Sequence, residues 1–220
     1  MMSLPLFSEY YFWFEVSALI IATFVTFSGK VNIPAFKTIS LYMLFIVAFE
    51  IIADLLHDDR VMTSNFINRL VIPAEFVFIL MFGYVLVRNK KLKKAVLVSL
   101  LLYVIMLAKD WFFPSGAKAS LYVASYTAGV LALLLLCAFL YYELLNSASL
   151  FEFYKQPVFL FFTGVTIFYL GTLPIHLYWN LASSHDIPLL IKLKNLFDGL
   201  MCTMYAFFSF SMLSFLWNKD

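Results

Sequence analysis

Ser120 to Tyr142 reads SLYVASYTAGVLALLLLCAFLYY, 23 residues without a charge. About 20 mostly apolar residues carry a helix across a hydrocarbon core of roughly 30 Å. Apolar and polar residues do not alternate along the stretch, as they would in a membrane strand. The segment is therefore predicted to be a helix crossing a lipid bilayer. Working outward, similar stretches fall near 9–28, 38–56, 70–88, 95–113, 157–180 and 195–217.

The intervals between them hold the polar and turn-forming residues. They are Gly29 to Lys37 with Pro34, His57 to Arg69, Arg88 to Lys94, Pro114 to Lys118, Asn146 to Gln156, and Ser183 to Lys194 with Pro188. The expected fold is all-α: a polytopic membrane protein whose residues 1–220 form one domain of seven transmembrane helices. The first span is expected to stay in place, because nothing basic precedes it and Lys30 follows it.

Composition points the same way. The chain has 220 residues, 64% hydrophobic and 13% charged, with a mean hydropathy of +0.92. A soluble domain carries about a quarter charged residues, and one of this size could not hide so much apolar surface. The lipid bilayer is the first expected partner, and a net charge of +2 argues for no nucleic acid. Cys137 and Cys202 sit inside apolar runs, without disulfide or metal-type spacing, and read as small packing residues.

Lys and Arg counts set the expected orientation. The side holding the C-terminus collects Lys30, Lys37, Arg88, Lys90, Lys91, Lys93, Lys94, Lys155 and Lys219, nine in all. The opposite side collects six: Arg60, Arg69, Lys109, Lys118, Lys192 and Lys194. The N-terminus is thus expected outside and the C-terminus in the cytoplasm. Tyr10, Tyr11, Trp13, Trp111, Tyr141, Tyr142, Tyr178, Trp179 and Trp217 lie near span ends, as an interfacial aromatic belt would.

Acids are distributed the other way. Glu9, Glu15, Glu50, Asp54, Asp58, Asp59, Glu75, Asp110, Asp186 and Asp198 fall toward the N-terminal side, against Glu143, Glu152 and Asp220 on the other. All three histidines, His57, His176 and His185, join the acid-rich side. Glu50 and Asp54 share one helix face. Alternating span direction brings Glu15, Glu50, Glu75, Asp198 and His176 to similar depth in the outer half of the bilayer. An ionised side chain at a helix centre costs roughly 2.5–3.5 kcal/mol on insertion scales, so such groups face the bundle interior, paired or hydrated. The expectation is an outward-facing acidic pocket for ligand binding or proton handling, built from Glu50, Asp54, Glu75, His176, Asp198 and Glu15. Gly164, Gly171 and Pro174 predict that the sixth helix packs closely or bends.

Several sharper chemistries are missing. No HExxH, Walker loop, GxSxG or CxxC occurs. A retinal-binding lysine midway along the last span is absent, since Lys192 and Lys194 stand at its entrance. The chain ends three residues after Trp217, so no cytoplasmic kinase or cyclase is expected. A zinc site would draw on His57, His176 and His185 with Glu50, Asp54, Asp58 or Asp59. That set resembles the seven-helix hydrolases related to alkaline ceramidases and adiponectin-type receptors, but the last helix lacks their HxxxH histidine pair. No cofactor is identified by the sequence.

A broader resemblance rests on ordered motifs: Phe49-Glu50, then Asn68 with Pro73-Ala-Glu75-Phe76, and the basic turn Arg88 to Lys94. Tyr142-Glu143-Leu144-Leu145, Gln156-Pro157-Val-Phe159, Gly164 and Tyr169-Leu-Gly171 continue it. In these the chain resembles a family of short seven-helix inner-membrane proteins of Gram-negative bacteria, and is similar to the membrane part of seven-helix bacterial sensors. The resemblance implies a fold and a location in the bacterial inner membrane, not an activity. The leading functional expectation is a receptor-like or accessory protein that binds a small ligand, ion or lipid headgroup and acts through a membrane partner or as a homo-oligomer. A small transporter or proton-coupled carrier comes second, and a metal-dependent lipid hydrolase third.

Overall fold

The computed structural model describes residues 10–55, 70–112, 123–146, 156–181 and 187–217. Among them the chain is all-helical. The seven helices are α1 (Tyr11–Phe27), α2 (Lys37–Leu55), α3 (Ile72–Leu86), α4 (Lys90–Phe112), α5 (Val123–Leu145), α6 (Pro157–Leu181) and α7 (Ile187–Trp217). Inside lipid no water is present to bond backbone N–H and C=O groups, which leaves the helix as the solution for a continuous apolar segment.

Five helical segments are long and apolar enough to cross a membrane: Pro34–Ile52, Lys90–Phe112, Ala124–Leu145, Pro157–Tyr178 and Pro188–Trp217. They suggest a multi-pass membrane protein. The other two are shorter, α1 with 17 residues and α3 with 15. At 1.5 Å per residue these span about 26 and 22 Å, less than a hydrocarbon core of roughly 30 Å.

Two helices begin earlier than the sequence predicts. The expected turn Arg88 to Lys94 shrinks to Val87–Asn89, and Lys90 to Lys94 already belong to α4. The reason is capping: the Glu143 carboxylate accepts the N–H groups of Arg88 (2.9 Å) and Asn89 (2.7 Å), and the Asn89 side chain accepts that of Lys91 (2.9 Å). Likewise α7 starts at Ile187, not near 195. Pro188 reads as a turn residue, yet in the first helical turn its missing N–H costs nothing. The resulting helix of 31 residues is about 46 Å long, well beyond a bilayer core.

The chain divides into two compact units, Met1–Val47 with Ser149–Asp220, and Ala48–Ala148. The boundary falls within α2. In the first unit α7 packs against both α6 and α1. Gly164 permits the α6–α7 approach, since a Cβ there would stand 2.7 Å from Phe207 Cβ and 3.1 Å from the Met204 carbonyl oxygen. The predicted close packing of the sixth helix is thus present. Aromatic rings fill the far end: Phe161 stacks on Phe208 at 4.2 Å, and Phe36 meets Phe215 edge-on at 5.1 Å.

Phe36 is delivered there by a short connection. The backbone leaves α1 through Gly29, whose φ of +74° suits glycine, and Pro34 opens a single 3-10 turn, Pro34–Phe36. Ser40 then ties α2 to α1, donating to the Ala22 carbonyl at 3.1 Å and lying 2.8 Å from the Thr26 hydroxyl.

In the second unit α3, α4 and α5 pack on one another. The outward side of α4 carries Leu97, Val98, Leu101, Leu102 and Ile105, all exposed, at spacings that make one stripe. Lipid is the medium that suits such a surface.

Candidate functional site

Each unit holds polar side chains inside an apolar interior, and their surroundings differ. In the second unit two acids, Asp110 and Glu143, are tied to helix starts. Asp110, near the end of α4, is 4% exposed and accepts the Ser125 N–H at 2.8 Å. Ser125 lies in the first turn of α5, where backbone N–H groups have no partner within the helix. Glu143, near the end of α5, does the same for α4 through Arg88 and Asn89. Each helix of this antiparallel pair therefore carries the carboxylate that caps the other, with the helix dipoles adding attraction.

Glu75 and Glu50 belong to the same unit. Both are half-buried, and both are engaged with neighbours. Glu75 lies in the first turn of α3 and acts electrostatically on Tyr103 of α4. The next residue, Phe76, packs its ring against Tyr103 at 5.4 Å and Tyr126 at 5.6 Å. Of Asp54 only the helical backbone is described, and His57 and His185 lie outside the described residues.

The first unit presents a different picture. Glu15 of α1 is fully buried, and both of its carboxylate oxygens are shut off from solvent. It heads a buried stripe with Ala18, Ala22 and Val25 at helical spacing. On α6, Thr172 is fully buried and His176 6% exposed. On α7, Asp198 is 3% exposed. Asn195, Asp198 and Cys202 are spaced i, i+3, i+7 and so share one face of α7.

Packing contacts give the heights of these groups. Gly171 lies against Leu200, and the His176 ring meets Phe197 edge-on at 5.6 Å. In an antiparallel pair these contacts put Thr172 level with Asp198 and His176 near Asn195. On the α1 side, Ser40 bonds between Ala22 and Thr26, and Phe36 lies one turn further along, beside Phe215. Phe36 is therefore level with Ser28. Counting back from Ser28 to Glu15, and equally from Phe215, reaches Cys202. Glu15, Thr172, His176, Asn195, Asp198 and Cys202 thus occupy one polar layer, about two turns thick, across α1, α6 and α7.

Within that layer, Asp198 Oδ2 and Asn195 Oδ1 are enclosed and accept no hydrogen bond from the protein. Lys194, exposed and one turn before Asp198, acts on its charge electrostatically. By sequence, Glu15 and Asp198 share the depth of Glu50 and Glu75. In the structure Glu50 and Glu75 are half-buried, whereas Glu15 and Asp198 are enclosed. The reason is the early start of α7, which surrounds Asp198 with helix on both sides. Asn195 and Thr172 were not anticipated; the Asn195–Asp198 spacing was the available signal, obscured by placing Asn195 at a helix end.

Among the described residues, no three side chains of His, Cys, Asp and Glu gather to hold a metal ion. No protein-family model, curated protein or solved structure matches the chain.

Proposed function

We propose that this is a receptor-like or accessory membrane protein that takes a small ligand in the polar layer of α1, α6 and α7 and acts through a partner in the membrane. On this reading all seven helices cross a bacterial inner membrane, with the N-terminus outside and the C-terminus in the cytoplasm. The resemblance of the ordered motifs to those of short seven-helix bacterial membrane proteins, together with the likeness to the membrane part of seven-helix sensors, supports that placement.

One observation carries the site: Asp198, almost fully buried, keeps an enclosed carboxylate oxygen that no protein donor reaches. A buried acceptor without a donor costs about 1–3 kcal/mol, more when charged. A membrane protein that keeps such a group has a use for it. A proton-coupled carrier is the second reading, favoured by Glu15, His176 and Asp198, three titratable groups on three helices of one unit.

Thermal unfolding in lipid nanodiscs, with a panel of amines, amino acids, inorganic ions and soluble lipid headgroups, tests the site. A ligand at 100 times its Kd stabilises by about 2.7 kcal/mol, an easily read shift. Asp198→Asn should abolish the shift, while Glu50→Gln and Glu75→Gln leave it in place. Equal responses in wild type and Asp198→Asn would remove this site.

A further inference from the structure

The chemistry of the layer narrows its occupant. The groups left over on α7 are acceptors: one carboxylate oxygen from Asp198 and one amide oxygen from Asn195, three residues apart on the same face. The Thr172 hydroxyl, at the same level on α6, adds another oxygen. An anion would meet the Asp198 carboxylate and could satisfy neither bare oxygen. A ligand bringing positive charge would satisfy both orphaned oxygens together. One carboxylate with neutral oxygens balances a single positive charge, and hard cations favour oxygen ligands of this kind. A softer divalent metal would seek several His, Cys or acidic ligands, and the described residues offer no such cluster.

Lys194 supplies the second half of the inference. It stands one turn ahead of Asp198 on α7, is exposed, and already acts on the Asp198 charge. Its ammonium is a tethered cation rooted one helical turn from a carboxylate that retains an unused oxygen. A mobile cation arriving at Asp198 meets repulsion from it.

We infer that the polar layer binds a small monovalent cation, an alkali or ammonium ion, on Asp198 and Asn195, with the Lys194 ammonium as a built-in competitor that weakens the site. The inference rests on the ligand-site reading above and names the ligand class. Competition of this kind sets the affinity so that occupancy follows ambient cation concentration, which a sensor or accessory subunit needs.

The test uses the full chain in nanodiscs of zwitterionic lipid, at constant ionic strength, with choline chloride replaced stepwise by sodium, potassium or ammonium chloride. Wild type should show a saturable rise in Tm with at least one of the three. Lys194→Gln should lower the half-saturating concentration about tenfold, and Asn195→Ala should raise it about tenfold. Asp198→Asn should abolish the rise. If that variant fails to fold, the opposite responses of Lys194→Gln and Asn195→Ala still decide. No saturable rise with any of the three cations, or a rise that Asp198→Asn retains, overturns the inference. So does a Lys194→Gln variant that binds more weakly than wild type. If the cations do nothing while a ligand from the wider panel stabilises wild type and not Asp198→Asn, the cation fails and the site stands.

Discussion

Asp110 and Asp198 are the same residue type, each on a long apolar helix and each almost wholly removed from solvent. Their surroundings treat them differently. Asp110 accepts the backbone N–H of Ser125 and closes the start of α5, with Glu143 performing the reciprocal task for α4. Those carboxylates are used by the fold. Asp198 keeps an enclosed oxygen that accepts no hydrogen bond from the protein, and Asn195, three residues before it, is in the same condition. A buried acid is thus no sign of function until its acceptors have been accounted for. In this protein that accounting separates the hairpin α4–α5, where carboxylates close helix starts, from α7, where Asp198 Oδ2 and Asn195 Oδ1 are enclosed without a hydrogen-bond partner.

The comparison breaks most readily at Asp110. Asp110→Ala leaves the Ser125 N–H buried and without its charged partner, and hydrogen bonds to charged groups contribute about 1.5–3 kcal/mol. A loss of about 2 kcal/mol is expected in an SDS-titration unfolding curve. An unchanged midpoint would show that the carboxylate is not holding α5.

Asp198→Asn should move the same curve the other way when no binding cation is present. The substitution keeps the shape and removes a buried charge, and relieving a functional compromise of this type commonly yields about 0.5–2 kcal/mol. A gain near 1 kcal/mol is expected in choline chloride. Destabilisation instead would mark Asp198 as another structural acid and erase the contrast.

The helices were legible in the sequence because lipid imposes one requirement, continuous apolarity, that single residues display without long-range information. Each of the seven described helices coincides with a predicted stretch. Their ends were less legible, since ends depend on partners distant in sequence. Lys90 to Lys94 look like a solvated basic loop until Glu143, at the far end of the next helix, is found holding the N–H groups before them. Pro188 looks like a turn until it is placed in the first turn of α7. The candidate site was half legible for the same reason. Glu15, His176 and Asp198 were visible as polar residues within spans. That Asp198 would be more enclosed than Glu50 depended on where α7 begins and on the close approach at Gly164, neither of which composition reveals.

Glu143 offers the finest test of the contrast, because its expected effect is small for a stated reason. Its two accepted bonds, from Arg88 and Asn89, lie at an exposed turn, where water can replace a lost partner. The Asn89 side chain continues to cap Lys91 whether or not Glu143 is charged. Glu143→Gln retains a neutral acceptor and removes the attraction between a carboxylate and the positive end of the α4 dipole, about 0.3–1 kcal/mol. The global unfolding midpoint should therefore barely move. Local opening should respond: a change near 1 kcal/mol is about a fivefold change in an opening equilibrium, so the Arg88 and Asn89 amides should exchange up to about fivefold faster while the mid-helix amides of α4 keep their rates. Faster exchange along the whole of α4 would show Glu143 to be as deeply committed to the fold as Asp110. No change at either amide would show that the turn is held by Asn89 alone, and reciprocal capping would reduce to Asp110 and α5.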